Sequence, residues 1–175
     1  MSENTEIVQR WWQELWNERK LEVADELLAP DYVVHVLWSN PALLGPRDVP
    51  GVQPAKDIVR QWSESFEDFH VTIENIVDAG EHVTCTHTFS ATHTGEFMGR
   101  PPTGQGGVIA GITIMRLANG RIQEAWTSWD MMGMAQQLGW APKPGAGPAT
   151  MVKFMLRNAR IARRASRARP APSAV

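Results

Sequence analysis

An α+β fold, with an antiparallel sheet curled over a small set of helices, is what this sequence predicts, on three observations. Helix-period apolar stripes occupy the first part of the chain, at about 3–18, 21–29 and 55–67. Four long strand patterns then follow one another between His70 and Asp130, joined by turns. Strands gathered after helices argue for α+β and against alternating βα units. With 43% apolar residues in 175, the chain has enough material for one real core plus an appendage.

The elements follow in order. In the first helix Ile7, Val8, Trp11, Trp12, Leu15 and Trp16 recur at i, i+4, i+8 spacing and form one stripe. Ser2 or Asn4 can cap it, and Glu3 and Glu6 suit its positive end. A short second helix carries Leu21, Ala24, Leu27 and Leu28 and is stopped by Pro30. Asp31 to Leu37 reads as a strand with Val33, His35 and Leu37 on one face. Residues 39–54, with four prolines and two glycines, read as an irregular loop beside a site. The third helix buries Ile58, Val59, Trp62 and Phe66.

His70–Val77 and His82–Thr92 are strands turned at Asp78–Glu81, and the second places Val83, Cys85, His87, Phe89 and Ala91 on one face. Such faces, on a curved sheet with helices on its concave side, would line a conical cavity. After the Gly/Pro-rich turn at 94–107, Val108–Leu117 forms a hairpin through Asn119-Gly120 with the strand Gly120–Asp130. A helix at 131–139 closes the domain, residues 1–140. Residues 141–150 form a Pro/Gly-rich linker, and 151–175 a basic helix ending in a disordered tail.

The strand 120–130 holds the candidate chemistry. Alternation puts Ile122, Glu124, Trp126, Ser128 and Asp130 on one side. Two carboxylates on a face shared with Ile122 and Trp126 suggest the polar end of a pocket. Asp130 can also be the N-cap of the helix that follows, although Gly133 stands where a capping box would have Glu or Gln. Glu124 reads as a second acid or as a salt-bridge partner, and His35 as a site residue or a hydrogen-bonded core residue.

Charge is divided. Residues 151–175 hold seven basic residues and no acid, which leaves ten basic and nineteen acidic residues in the first 150. An acidic body disfavours nucleic acid as a partner. The tail is expected to dock its Met/Phe/Leu end on its own domain or on a second copy. No signal peptide or membrane-length apolar run is evident, so the expectation is a cytoplasmic protein with no membrane partner. One cysteine, Cys85, excludes an internal disulfide and reads as a small buried filler. His87 and His93 are six residues apart, about 20 Å along a strand, so no metal is expected. Gly104–Gly107 lacks the Lys-Ser/Thr of a phosphate loop and reads as a turn.

Three passages together carry a resemblance: Trp16-Asn-Glu with Glu26-Leu-Leu-Ala-Pro-Asp-Tyr-Val-Val-His35, Thr92-His-Thr-Gly-Glu-Phe-Met-Gly-Arg-Pro-Pro-Thr-Gly104, and Asn119-Gly-Arg-Ile-Gln-Glu-Ala-Trp with Asp130. Over about residues 5–140 the chain resembles the SnoaL-like polyketide cyclases of the NTF2-like superfamily. The resemblance implies a cone-shaped α+β barrel with one deep pocket and a homodimer formed through the outer sheet face. It implies ring closure of an apolar, aromatic polyketide by intramolecular aldol condensation, with an aspartate as general acid/base and no cofactor or metal. By motif position Asp130 matches that aspartate and His35 a pocket histidine. Trp12, Trp16, Trp126, Glu124, His87 and Phe89 are then the expected substrate-binding set. Relatives of this fold also isomerise, open epoxides, assist hydroxylation or only bind, and these stand as alternatives.

Overall fold

The computed structural model describes residues 2–37 and 48–168, without the side chains of 157–158 and 161–168. Most of the irregular loop expected at 39–54 lies outside the described residues. Helix α1 (Glu3–Arg10) is capped by Ser2, whose hydroxyl accepts from the Thr5 amide. It runs straight on into a wider turn, Trp11–Asn17, with i→i+5 hydrogen bonds such as Glu18 N to Gln13 O. That widening leaves Trp11, Trp12, Leu15 and Trp16 all buried. Helix α2 is short, Val23–Leu27, and α3 spans Val52–Ser65. Helices α4 (Met131–Gln137) and α5 (Pro148–Ala168) end the described chain.

Six strands form one curved, unclosed sheet: β1 Leu28–Val36, β2 Asp48–Pro50, β3 His70–Ala79, β4 His82–Thr92, β5 Gly106–Ala118 and β6 Arg121–Trp129. Their order is β2-β1-β6-β5-β4-β3. The α+β class holds, and the expectation of a purely antiparallel sheet needs one correction: β1 runs parallel to β6. A strand reached through a helical excursion can return in either sense, and Arg121 secures this one by donating to the carbonyls of Asp25 and Leu28. At the β3 edge the Asn17 side chain completes the ladder, accepting from Val71 N and donating to Val71 O. This edge bond fixes the aromatic helix against the sheet.

The core lies between the sheet's concave face and α1, α2 and α3. A β-bulge decides which residues of β6 reach it. Leu117 pairs with Ile122 but Arg116 pairs with Glu124, so Gln123 is the extra residue. Ile122 and Ala125, three residues apart, are therefore both buried. Strict alternation from Ile122 gives the wrong face for everything after it. The outer face of β5 exposes Val108, Ile112 and Ile114.

On α5, Met151 and Phe154 are half-buried while Val152, Met155 and Leu156 are exposed. Docking of the whole Met/Phe/Leu end on this chain's own domain is thus not what the structure has. No described helix is long and apolar enough to cross a membrane.

Candidate functional site

The concave side encloses a cavity of about 550 Å³. One wall comes from the first helix, which contributes Trp11, Trp12 and Trp16. The opposite side is α3, with Ala55, Ile58 and Trp62, backed by Phe97 and Met98 of the turn that follows β4. The sheet supplies the rest: Tyr32, Val34 and Val36 of β1, Thr113 and Met115 of β5, and Ala125, Thr127 and Trp129 of β6. Seven aromatic rings line this space in edge-on, tilted and stacked pairs; Trp62, for example, lies 4.9 Å from Phe97, tilted, and 6.0 Å from Trp129, stacked. Such a wall favours a flat, apolar occupant.

Polar groups in the wall are few. Tyr32 is buried, and burial pushes its phenol well above its ordinary range. Asp57 and Gln61 stand on exposed positions of α3, with Asp57 paired to Arg60 at 2.5 Å. On the sheet side of the wall the hydroxyls of Thr113 and Thr127 lie 3.0 Å apart. Behind Thr113 sits His87, 1% exposed, with Nε2 at 2.9 Å from the Thr113 hydroxyl. Its ring is held between Trp12 and Trp129, with centroids 4.5 and 4.6 Å away. Burial pushes its pKa down to about 4, so the ring is neutral near pH 7. Gly111 makes room for it, since a Cβ there would stand 2.4 Å from His87 Cε1. His87 Nδ1 and Trp16 Nε1 are buried without a hydrogen-bond partner.

The expected site residues divide. Trp12 and Trp16 line the cavity. His87 and Phe89 face inward and are buried, but one stands behind Thr113 and the other packs at 4.9 Å from Trp62 behind the aromatic wall. The expected convergence of His35, Trp126 and Asp130 on one cavity is overturned. His35 and Trp126 lie on the outer face, stacked at 5.2 Å. His35 Nδ1 is 2.8 Å from Asp48 and Nε2 is 3.2 Å from Glu124, whose other oxygen takes the Arg116 guanidinium. The bond to Asp48, seconded by Glu124, raises the His35 pKa. The Arg116 bond, with His35 second, lowers that of Glu124. Glu124 is thus the ion-pair partner and not a pocket acid.

Asp130 is exposed and caps α4, accepting from Gly133 N at 2.7 Å. The physical reason for this regrouping is the bulge at Gln123, which carries Ala125, Thr127 and Trp129 inward in place of Trp126, Ser128 and Asp130. On β6, Ala125, Thr127 and Trp129 are the wall residues that alternation missed. The outer Arg116–Glu124 pair was the signal available, since ideal hairpin register would set Arg116 opposite Gln123.

Among the described residues no group of three His, Cys, Asp or Glu side chains could hold a metal ion. Cys85 is buried, its thiol pushed up to about 11 by burial while it accepts from Trp12 Nε1. It is a packing residue there.

Fold and cavity together define a mixed α+β protein with an aromatic-lined pocket. The family model for SnoaL-like polyketide cyclase matches residues 6–138, and the chain belongs to that family. IdmH of Streptomyces antibioticus, described as a candidate polyketide cyclase, is 30% identical, covering 77% of this chain and 97% of its own with TM-score 0.65. A protein of Acidithiobacillus ferrooxidans, described likewise, is 29% identical over 80% of this chain and 96% of its own, TM-score 0.68. AclR of Streptomyces galilaeus, described as a candidate hydroxylase, shares the fold at 21% identity and TM-score 0.70. Its match covers 94% of this chain and 97% of AclR, and so extends beyond residue 140. No curated protein matches the chain.

Proposed function

We propose that this chain is a polyketide-tailoring enzyme that binds a flat, largely apolar polyketide-like substrate and closes a ring in it by acid/base chemistry without a cofactor. The observation that carries this reading is the aromatic-walled cavity of about 550 Å³, whose sheet wall presents two neighbouring threonine hydroxyls. An aldol closure removes a proton alpha to one carbonyl. The resulting enolate carbon bonds to a second carbonyl carbon, and the new alkoxide takes up a proton. Support for this reading comes from the mostly apolar wall, which suits a flat chain, and from hydroxyls able to donate to an oxygen that gains charge.

A second reading, a non-catalytic binding protein, is favoured by one observation. Among the described residues lining the cavity the only carboxylate is Asp57, at an exposed position. One experiment separates the two. The protein is incubated with a synthetic aromatic poly-β-ketone, ring-closed product is followed by mass spectrometry, and binding is followed by tryptophan emission. Product forming above the uncatalysed rate, and lost in Ala125→Phe (which fills the cavity), is the expected outcome. Quenching without product would leave the binding reading standing, and neither signal would reject both.

A further inference from the structure

The hydroxyl pair has a direction, and the direction selects a ligand. Thr113 Oγ1 lies between His87 Nε2 at 2.9 Å and Thr127 Oγ1 at 3.0 Å. Each hydroxyl has one proton to donate. With its proton on Nε2, His87 donates to Thr113, Thr113 donates to Thr127, and the proton of Thr127 is left over for the cavity. The reverse chain places the ring proton on Nδ1, which is buried and has no partner. A buried N–H without an acceptor is rarer and costlier than an under-used acceptor. The first direction is therefore the stable one. Thr113 is 2% exposed and the ring is wedged between two tryptophans opposite Gly111, so neither partner can swing to a different arrangement.

We infer that Thr127 is a preset hydrogen-bond donor for a carbonyl oxygen of the ligand, with Thr113 and His87 as positioning residues that fix its polarity. This rests on the reading that the cavity is where substrate binds. The ligand class it names is a planar ketone, with its oxygen set against Thr127. A carbonyl accepts the Thr127 proton, and the bond tightens as that oxygen gains charge on enolisation. A hydrocarbon of the same shape leaves the hydroxyl without a partner in a nearly apolar enclosure.

Fluorenone and fluorene share a flat tricyclic frame and differ at one carbon, so equilibrium dialysis of the full chain against each isolates the carbonyl. Fluorenone is expected to bind about fivefold more tightly, the size of one net neutral hydrogen bond. Thr127→Val should abolish that preference by weakening fluorenone alone, and Thr127→Ser should keep it. Thr113→Val should reduce the preference, with Thr113→Ser restoring it. The carbonyl stretch of bound fluorenone should sit at lower frequency in the unmodified protein than in Thr127→Val. Equal affinity for the two ligands, or a preference that survives Thr127→Val, overturns the inference while leaving the cavity a binding site. Binding of neither ligand overturns the reading of the cavity and the inference together.

Discussion

Two histidines on opposite faces of the same sheet show how differently one side chain is used here. His87 and His35 both touch tryptophan rings, at 4.5 Å and 5.2 Å. His87 on the concave face has one hydroxyl partner, Thr113, and no carboxylate; burial alone lowers its pKa to about 4. His35 on the convex face has Asp48 and Glu124 at its two nitrogens, and its pKa is raised. The aromatic neighbour does not decide the charge state; the carboxylates and the solvent do. The concave face is a largely apolar enclosure, while the convex face is an ion-paired network at the surface.

The sharpest way to break this comparison is to remove one tryptophan from each face. Trp62 is buried and meets Trp16, Phe66, Phe89, Phe97 and Trp129. Trp62→Ala should cost about 3–5 kcal/mol, in the range for large-to-small changes in a packed interior. Trp126 is half-buried against His35 and His82, and Trp126→Ala should cost about 1 kcal/mol. Urea unfolding with a shared slope measures both. Comparable losses would mean that the two faces are not energetically distinct.

Next in size is the response to acid. The folded-state pKa of His87 lies below that of the unfolded chain, near 6.5. The unfolded state therefore binds the extra proton first. Stability from this group is complete above about pH 6.5 and declines toward about pH 4, by at most about 3 kcal/mol. His93 is buried too, its pKa lowered by burial, and contributes with the same sign. His35 works the other way: its contribution is present below about pH 6.5 and fades as pH rises through its raised folded value. It is the smaller effect because its partner Asp48 is solvent-exposed. Unfolding free energies from pH 4 to 8 should flatten on the acid side in His87→Phe and not in His35→Gln. An unchanged acid slope in His87→Phe would place the sensitivity elsewhere.

The contrast between faces also marks what the sequence could say. Helix periodicity at Trp11, Trp12, Leu15 and Trp16 and the Asn119-Gly120 turn specify elements locally, so the helices and the long strands were legible. The side chains that line the cavity from β1 and β6 were not. Strand alternation carries no absolute phase, and on β1 it is Tyr32, Val34 and Val36 that point inward, not Val33 and His35. On β6 one inserted residue, Gln123, reverses the phase midway. Bulges answer to sheet curvature, a property of neighbouring strands that a single stretch does not contain. The same holds for β2 and for the parallel pairing of β1 with β6, which depend on segments distant in sequence.

The smallest expected effect tests the residue on which the two faces meet. Asp130 follows Trp129, which lines the cavity, yet its own carboxylate turns outward and accepts from Gly133 N. Gly133 is what permits this: a Cβ there would stand 2.1 Å from Asp130 Oδ2. Asparagine caps helices about as well as aspartate, whereas alanine does not. Asp130→Asn should therefore leave the unfolding free energy within a few tenths of a kcal/mol, the screened worth of one charge at a helix start. Asp130→Ala should cost about 0.5–2 kcal/mol. Ligand affinity in the cavity should be the same for both, since the carboxylate points away from it. In the ring-closure assay, turnover per folded molecule should survive Asp130→Asn. If it falls by orders of magnitude while the melt is unchanged, the carboxylate must swing inward during reaction, and the general acid/base role that the family resemblance implies would belong to Asp130 after all.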